Sequence, residues 1–235
     1  MKIKGTCTTL EKRYLRLTAP PEPSTVRPQH VLKQALEWLQ QQIAGGCTYR
    51  FACSQFKSIR QDMTVQLIKN DFTVHVYEAH ARVALDNADS NEFNQCQTQL
   101  IELYAAGLRG CAKEFLAYRI LYYVFNESHH DAEALLASVS PADETEPAVQ
   151  HALQVRSAVA SGNYVKWFKL YPAAPNMGAR VMDFMMHRQR MHALMVMAKA
   201  YVFRPSLRLS YVSPLLCFSG LIECKKLLDA AEASL

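Results

Sequence analysis

The residues of this sequence that come nearest to a metal site are His75, Glu78 and His80. Two histidines that bind zinc from one helix lie on the same face, as at positions i and i+4. His75 and His80 are five residues apart, which turns them away from each other by roughly 140° on a helix. His80 also falls on the apolar stripe of its segment, which is typical of a hydrogen-bonded core histidine. We therefore predict no metal site here.

Other polar groupings do not predict catalysis either. His129, His130 and Asp131 lie where a loop meets a helix, and Asp131 is of the type that caps a helix N-terminus. Asp143 and Glu144 lie in a polar loop bounded by prolines, and we predict that water solvates them. The sequence has no GxSxG, GxxxxGK[ST] or GxGxxG motif. We predict no enzymatic activity and no cofactor.

Polar side chains alternate with apolar ones in two stretches of predicted helix. In the first, Ile59 and Met63 face inward, while amides and charges occupy the positions between them. We favour a buried polar network that joins consecutive helices, and the alternative is a partner surface. The predicted network residues are Lys57, Arg60, Gln61, Asp62, Gln66, Glu78, Arg82, Asn94 and Gln97.

These stretches belong to a succession of helical patterns. Residues 19–28 carry four prolines, so we predict an extended N-terminal arm over 1–28. From 29 to 203 the apolar residues recur at helical spacing, with polar turns between them. The pattern predicts an all-α array of irregular, TPR-like helical hairpins with no clean 34-residue repeat. In residues 204–235 the pattern predicts two short helices, which form a terminal module.

Composition limits the class of protein. Half of the 235 residues are apolar, and no run is long enough for a membrane span. The seven cysteines are scattered without a CxxC pair, so we predict reduced thiols in an intracellular protein. From Arg180 to Lys226 there are eight basic residues against two acidic ones. This charge indicates either a polyanion-binding surface or a solvated helical face.

Longer motifs over nearly the whole chain resemble the GANP family of PCI proteins, whose yeast founder is the Sac-three export scaffold. Within the family, the sequences of these motifs are most similar to those of the branch of leukocyte receptor cluster member eight and Thp-three. The motifs are Tyr14-Leu-Arg-Leu-Thr18, Val26-Arg-Pro28, Phe56-Lys-Ser-Ile-Arg-Gln-Asp-Met-Thr-Val-Gln66, Val76-Tyr-Glu-Ala-His-Ala-Arg82, Glu92-Phe-Asn-Gln-Cys-Gln97, Tyr118-Arg-Ile-Leu-Tyr122, Gly162-Asn-Tyr164, Phe168-Lys-Leu-Tyr171, Arg204-Pro205 and Tyr211.

The resemblance implies a non-catalytic scaffold of a nuclear mRNA-processing or export complex. It also implies a PCI-type helical array that ends in a winged helix. The implied partner is a second PCI subunit of the Thp-one, Csn-twelve or PCID-two kind, with DSS-one as third member. The alternative is a structural lid-type PCI subunit, as in the proteasome, the signalosome or translation-initiation assemblies, with protein contacts only.

Two sets of site residues follow from the resemblance and the basic end. The sequence stops in a predicted helix, so we expect a shortened winged helix that lacks the β-wing. This weakens the case for RNA binding by this chain alone. We expect RNA to be contacted by Arg188, Arg190, Arg204, Arg208, Lys225 and Lys226. We expect the partner subunit to be contacted by Tyr211, Leu215, Phe218 and Leu227.

Overall fold

A computed structural model describes residues 3–200 and 207–232, and all regular structure in these two ranges is helical. The all-α prediction is confirmed for the described residues, which contain no β-strand. The chain divides into two compact units, Met1–Ala112 and Lys113–Leu235. The predicted boundaries at 28 and 203 stay predictions.

The first unit is a run of helical hairpins preceded by an extended arm. Helix α1 (Gln29–Ala44) packs on α2 (Tyr49–Val65), α2 on α3 (Asp71–Asp86), and α3 on α4 (Ser90–Ala105). Loops of three to five residues join these helices, and loops this short make consecutive helices antiparallel neighbours. The hairpin prediction for this part of the chain therefore agrees with the structure.

Local sequence signals set where these helices begin and end. The backbone turns at Gly46, whose φ of 83° lies in the left-handed region that favours glycine. Thr48 then caps α2 by accepting a hydrogen bond from the Phe51 N–H. Asn70 and Thr73 form a reciprocal capping box at the start of α3. These signals act over a few residues and are readable in the sequence.

The described part of the N-terminal arm, from residue 3 onward, forms no regular structure before the short 3₁₀ turn Pro23–Thr25. It runs back along this turn, and the Thr6 and Cys7 N–H groups bond the carbonyls of Pro23 and Val26. Gly5 is buried at the closest approach, where an added Cβ would lie 2.2 Å from the Val26 carbonyl oxygen. Only glycine fits this position without a shift of the backbone.

The second unit contains the remaining described helices. They are α5 (Ala112–Asn126), α6 (His129–Ser138), α7 (Pro141–Glu144), α8 (Pro147–Ala160), α9 (Tyr164–Leu170), α10 (Gly178–Ala200), α11 (Leu209–Leu215) and α12 (Leu221–Glu232). Helix α10 is continuous across Arg188. No described helix is both long and apolar enough to cross a bilayer.

A buried tyrosine and an aromatic pair join α5 to the α10 region. The Tyr118 hydroxyl accepts a hydrogen bond from the Met177 N–H at 2.9 Å and donates to Glu114 at 2.7 Å. The rings of Phe125 and Phe184 lie 5.4 Å apart. The aromatic residues of α5 are thus core contacts, as their helical spacing predicts.

Candidate functional site

A buried carboxylate on α2 fixes the N-terminal arm. Asp62 is 1% exposed and accepts hydrogen bonds from Arg27 Nε at 2.7 Å and from Lys12 Nζ at 2.6 Å. The Arg27 side chain is itself 0% exposed. Its two terminal nitrogens donate to the Leu10 carbonyl at 2.7 Å and to Ser58 Oγ at 2.8 Å. Each buried charge therefore has several partners, which a buried ion pair requires.

Other side chains of α2 bond the backbone of the arm. The arm is extended but has no neighbouring strand, so its backbone groups need other partners. Polar side chains along one face of α2 supply them. The pairs are Ser54 with the Tyr14 N–H at 3.3 Å, Gln55 with the Lys12 N–H at 3.0 Å, Gln61 with the Leu15 carbonyl at 2.9 Å, and Gln66 with the Gly5 N–H at 3.1 Å.

A second polar cluster joins α2, α3 and α4 around Glu92. This carboxylate is 2% exposed and pairs with Lys57 Nζ at 2.6 Å and Arg60 Nη1 at 2.5 Å. The same Arg60 nitrogen lies 3.0 Å from His80 Nδ1 and 3.3 Å from Cys96 Sγ. One guanidinium thus connects three consecutive helices.

The geometry assigns the protonation state of His80. Because the Arg60 N–H can only donate, His80 Nδ1 must accept, and the imidazole carries its proton on Nε2. Burial, together with the nearby cations of Arg60 and Lys57, lowers the pKa of His80 to about 2. The ring stacks on Phe56 with centroids 4.6 Å apart. His80 is therefore a neutral core histidine, as its place on the apolar stripe indicates.

His80, Glu92 and Cys96 each offer a possible metal ligand atom, and these atoms lie within 4.8 Å of one another. Arg60 Nη1 contacts all three atoms, so a guanidinium already supplies the positive charge. Burial also raises the pKa of the Cys96 thiol to about 12, whereas a metal ligand must be a thiolate. These residues do not fit a metal ion. His75 is exposed on another face of α3.

The remaining predicted network residues fall into two smaller groups. Glu78 accepts hydrogen bonds from the Tyr104 hydroxyl at 2.7 Å and the Cys111 N–H at 2.6 Å, and Arg82 lies 3.6 Å from it. Asn94 and Gln97 bond each other within α4 at 2.9 Å. The nine predicted residues are thus divided among separate clusters.

Two central members of these clusters are absent from the predicted set. In the sequence Arg27 stands only within a family motif, in a proline-rich segment that predicts an extended arm. Glu92 stood in the polar stretch of α4 but without an assigned partner. The missing information is long-range, because Arg27 and Asp62 are 35 positions apart, and Arg60 and Glu92 are 32 apart.

Two arginines of the expected RNA-binding set bond to the protein itself. Arg190 donates to the carbonyls of Leu216 and Cys217 at 3.2 and 2.6 Å, and to Glu223 at 2.7 Å. Its guanidinium also lies over the Phe218 ring, 3.8 Å from the centroid. Bonds from the side chain and backbone of Ser219, and then from Arg190, lower the pKa of Glu223 to about 2. Arg190 thus holds the module of α11 and α12 onto α10.

Arg188 has a similar role at another place. It donates to the Val124 and Phe125 carbonyls at the end of α5, each at 3.1 Å, and pairs with Glu127 at 2.6 Å. Its donors therefore serve as a C-terminal cap for α5. The geometry favours a structural role for both Arg188 and Arg190.

The other expected site residues differ in exposure. Arg208, Lys225 and Lys226 are exposed, and no ion pair involves them within the described residues. Arg204 lies outside the described residues. Of the expected partner contacts, Tyr211 is 54% exposed, Leu215 and Leu227 are half-buried, and Phe218 is buried beneath Arg190. Leu221 and Ile222 are 52% and 75% exposed, and sequence reasoning did not select them.

The described residues form helical hairpins joined by buried polar clusters, and a small helical module of α11 and α12 comes after them in the sequence. These features define a class of all-helical, hairpin-built proteins. The chain belongs to the SAC3/GANP family, whose family model matches residues 8–235. This confirms the family that the sequence motifs resemble.

Three relatives indicate the branch. The chain is 50% identical to a THP3 homologue of Schizosaccharomyces pombe over 98% of its own length and 58% of the relative's. It is 47% identical to a leukocyte receptor cluster member 8 homologue of Xenopus laevis, over 97% of this chain and 28% of the relative. Identity to Protein THP3 of Saccharomyces cerevisiae is 32%, over 85% of this chain and 44% of that protein. The chain therefore spans less than two thirds of each relative.

We expect replacement of Asp62 by asparagine to lower the free energy of unfolding by about 3 to 5 kcal/mol, because Arg27 then keeps a buried charge without its counter-ion. Urea denaturation of the purified chain measures this loss. Glu37→Gln removes the same charge at an exposed site and should change the value by less than about 0.5 kcal/mol. A loss of similar size in both variants would show that Asp62 has no special structural role.

We expect His80 to make stability depend on pH. The pKa of His80 in the folded state lies below its ordinary value of 6.5. As the pH falls below 6.5, the unfolded chain therefore binds a proton at this histidine and the folded chain does not. Between pH 7.5 and 5.5 this linkage lowers the free energy of unfolding by about 1.4 kcal/mol.

The variant His80→Phe keeps a ring against Phe56 but cannot take up the proton. Its stability at pH 7.5 should fall by about 1 kcal/mol, because Arg60 loses one hydrogen-bond acceptor. Its further loss on going to pH 5.5 should be smaller than that of the wild type by about 1.4 kcal/mol. Equal pH slopes for the two proteins, measured by urea denaturation, would rule out this role for His80.

Proposed function

We propose that this chain is a non-catalytic PCI-type scaffold subunit of a nuclear mRNA-processing or mRNA-export complex. In this proposal it pairs with a second PCI subunit of the Thp-one, Csn-twelve or PCID-two kind, with DSS-one as third member. The charged groups of the described polar clusters are bonded to one another and hold helices together, which supports a scaffold role. Membership of the SAC3/GANP family and the THP3 relatives support the assignment to mRNA metabolism.

The observation that carries the partner proposal is the apolar surface of the C-terminal module. Tyr211, Leu221 and Ile222 are more than half exposed. Such residues cost free energy in water and are favoured where a partner covers them. The module is held in place from beneath by Arg190, so it can present this surface as a rigid body.

Exposed cations of the same module support RNA contact. Arg208 precedes α11, and Lys225 and Lys226 lie on α12. They have no carboxylate partner within the described residues, so their charge is available to phosphate groups. The proposed RNA contact rests on these three residues and on Arg204, with Arg188 and Arg190 serving as internal supports.

The partner proposal is tested by co-expression with a PCI subunit and DSS-one. We expect the double variant Leu221→Glu, Ile222→Glu to reduce recovery of the purified complex by at least ten-fold, because two carboxylates would be buried against an apolar partner surface. Leu67→Glu, at a residue that is 65% exposed in the first unit, should leave the complex intact. Normal assembly of the double variant, or co-purification with lid subunits instead, would contradict the proposal.

The RNA proposal is tested on the assembled complex with a labelled single-stranded RNA. Charge reversal at Arg208, Lys225 and Lys226 should weaken binding and make the slope of log K against log salt shallower by about 2, since three phosphate contacts are lost. The matched variant reverses the exposed residues Lys33, Lys69 and Lys166 and changes net charge equally. Equal effects of the two triple variants would mean that net charge alone, and not this surface, attracts RNA.

A further inference from the structure

Two neighbouring grooves of the first unit meet at Tyr14. One has a volume of about 490 Å³ and is bounded by the arm, α2, α3 and α4, with Tyr77 and Gln95 on its far wall. The other measures about 370 Å³ and lies between Tyr14 and the start of α2, with Tyr49 and Arg50 among its lining residues. Tyr14 and Lys57 line both grooves. Tyr14 is 37% exposed and is thus a shared wall residue of the two grooves.

The charge of these grooves is positive. Lys57 and Arg60 line the larger groove, and Arg50 and Lys57 line the smaller one, while no carboxylate of the described residues lines either. Glu92 lies buried beneath and balances one of the two charges of Lys57 and Arg60. Arg50 is exposed and has no acidic partner in the described part of the chain. The grooves thus keep an excess of cations without counter-ions of their own.

The neighbouring arm adds to this charge. Arg13 and Arg16 flank Tyr14 in the sequence, and both are exposed without an ion pair among the described residues. The arm cannot easily move away from α2, because Lys12 and the backbone around Tyr14 are bonded to Asp62, Gln55 and Ser54. The backbone that carries Tyr14 is therefore held beside α2.

We propose that these two grooves bind a single-stranded polynucleotide, with one base on each side of the Tyr14 ring. Each groove is within the size range of small-ligand sites. Aromatic side chains bind bases by stacking, and cations beside them follow the phosphate backbone. In this arrangement Arg50 contacts a phosphate, and the exposed Gln95 amide offers a donor and an acceptor to a base edge.

An acidic peptide is the competing occupant, and the arm argues against it. A peptide that adds to an extended segment does so through free backbone donors and acceptors. The Lys12 and Tyr14 N–H groups and the Leu15 carbonyl are already bonded to α2. The arm therefore offers little free strand edge near the grooves, whereas Tyr14 is 37% exposed and borders both of them.

This site lies in the first unit and shares no residue with the basic C-terminal module. This proposal extends the proposed function and rests on it, because that function is what identifies the polynucleotide bound in the cell. The chemistry of the grooves fits RNA and single-stranded DNA alike, so both are used as probes. Variants of the two surfaces share no residue, so failure of one proposal is distinguishable from failure of the other.

The test measures fluorescence anisotropy of the full chain with fluorescein-labelled 12-mers of oligo-uridine and oligo-deoxythymidine, at low and at physiological salt. We expect Tyr14→Ala to weaken binding about five-fold or more through loss of stacking, whereas Tyr14→Phe keeps the ring and stays within two-fold of wild type. Arg50→Glu should weaken binding and reduce its salt dependence. Lys69→Glu, at an exposed lysine outside both grooves, is the matched charge control.

Three outcomes overturn the proposal. The first is absence of binding of either oligonucleotide by the wild-type chain at low salt. The second is unchanged affinity in Tyr14→Ala and Arg50→Glu when charge reversal of Arg208, Lys225 and Lys226 abolishes binding. The third is preference for a labelled glutamate dodecapeptide over both oligonucleotides, with the same loss in Tyr14→Ala. Circular dichroism melting curves confirm that each variant is folded before its affinity is compared.

Discussion

The buried ion pair between Arg27 and Asp62 is the constraint on which the first unit depends. Both side chains lose nearly all contact with water, and such burial costs free energy unless every donor and acceptor finds a partner. Lys12, Ser58 and the Leu10 carbonyl supply these partners. The pair therefore does more than join two residues, because its partners fix the path of the arm along α2 in one register. A hydrophobic contact at the same place would stabilise the arm without selecting that register.

Helix α2 serves two sets of neighbours with two of its faces. Asp62 and Gln66 face the arm, while Lys57 and Arg60 face the carboxylate of Glu92 on α4. Apolar residues such as Ile59 pack between these faces, so α2 is enclosed on most sides. The grooves beside Tyr14 follow from this arrangement, because the arm covers one side of α2 and leaves the cationic side chains of the other partly open.

The periodicity of apolar residues was sufficient to predict the helices. It was not sufficient to predict which polar residues lie together in the clusters. The glycine pair after α1 and the caps of α2 and α3 act over a few residues, so the elements could be located from local patterns. The clusters depend on pairs more than 30 positions apart, and no local pattern contains that distance. Arg27 shows the difference most clearly, because its proline-rich neighbourhood predicts only an extended arm and contains no sign that the structure buries the side chain completely. The excess of basic residues from Arg180 to Lys226 was likewise visible in the sequence. Which of these arginines bond within the protein and which are exposed was not visible.

The arginines show why a count of positive charge does not locate a binding surface. Arg27, Arg60 and Arg190 each donate to several acceptors of the same chain, so releasing them to bind a polyanion would break a structural cluster. Arg50 and Arg208 are exposed and have no carboxylate partner within the described residues, so a phosphate can approach them without such a cost. The cations available to a ligand are therefore those that the fold leaves unpaired. By this criterion Arg50, beside Tyr14 in the first unit, and Arg208, at the start of α11 in the second, can meet a phosphate without breaking a cluster, whereas Arg27, Arg60 and Arg190 cannot.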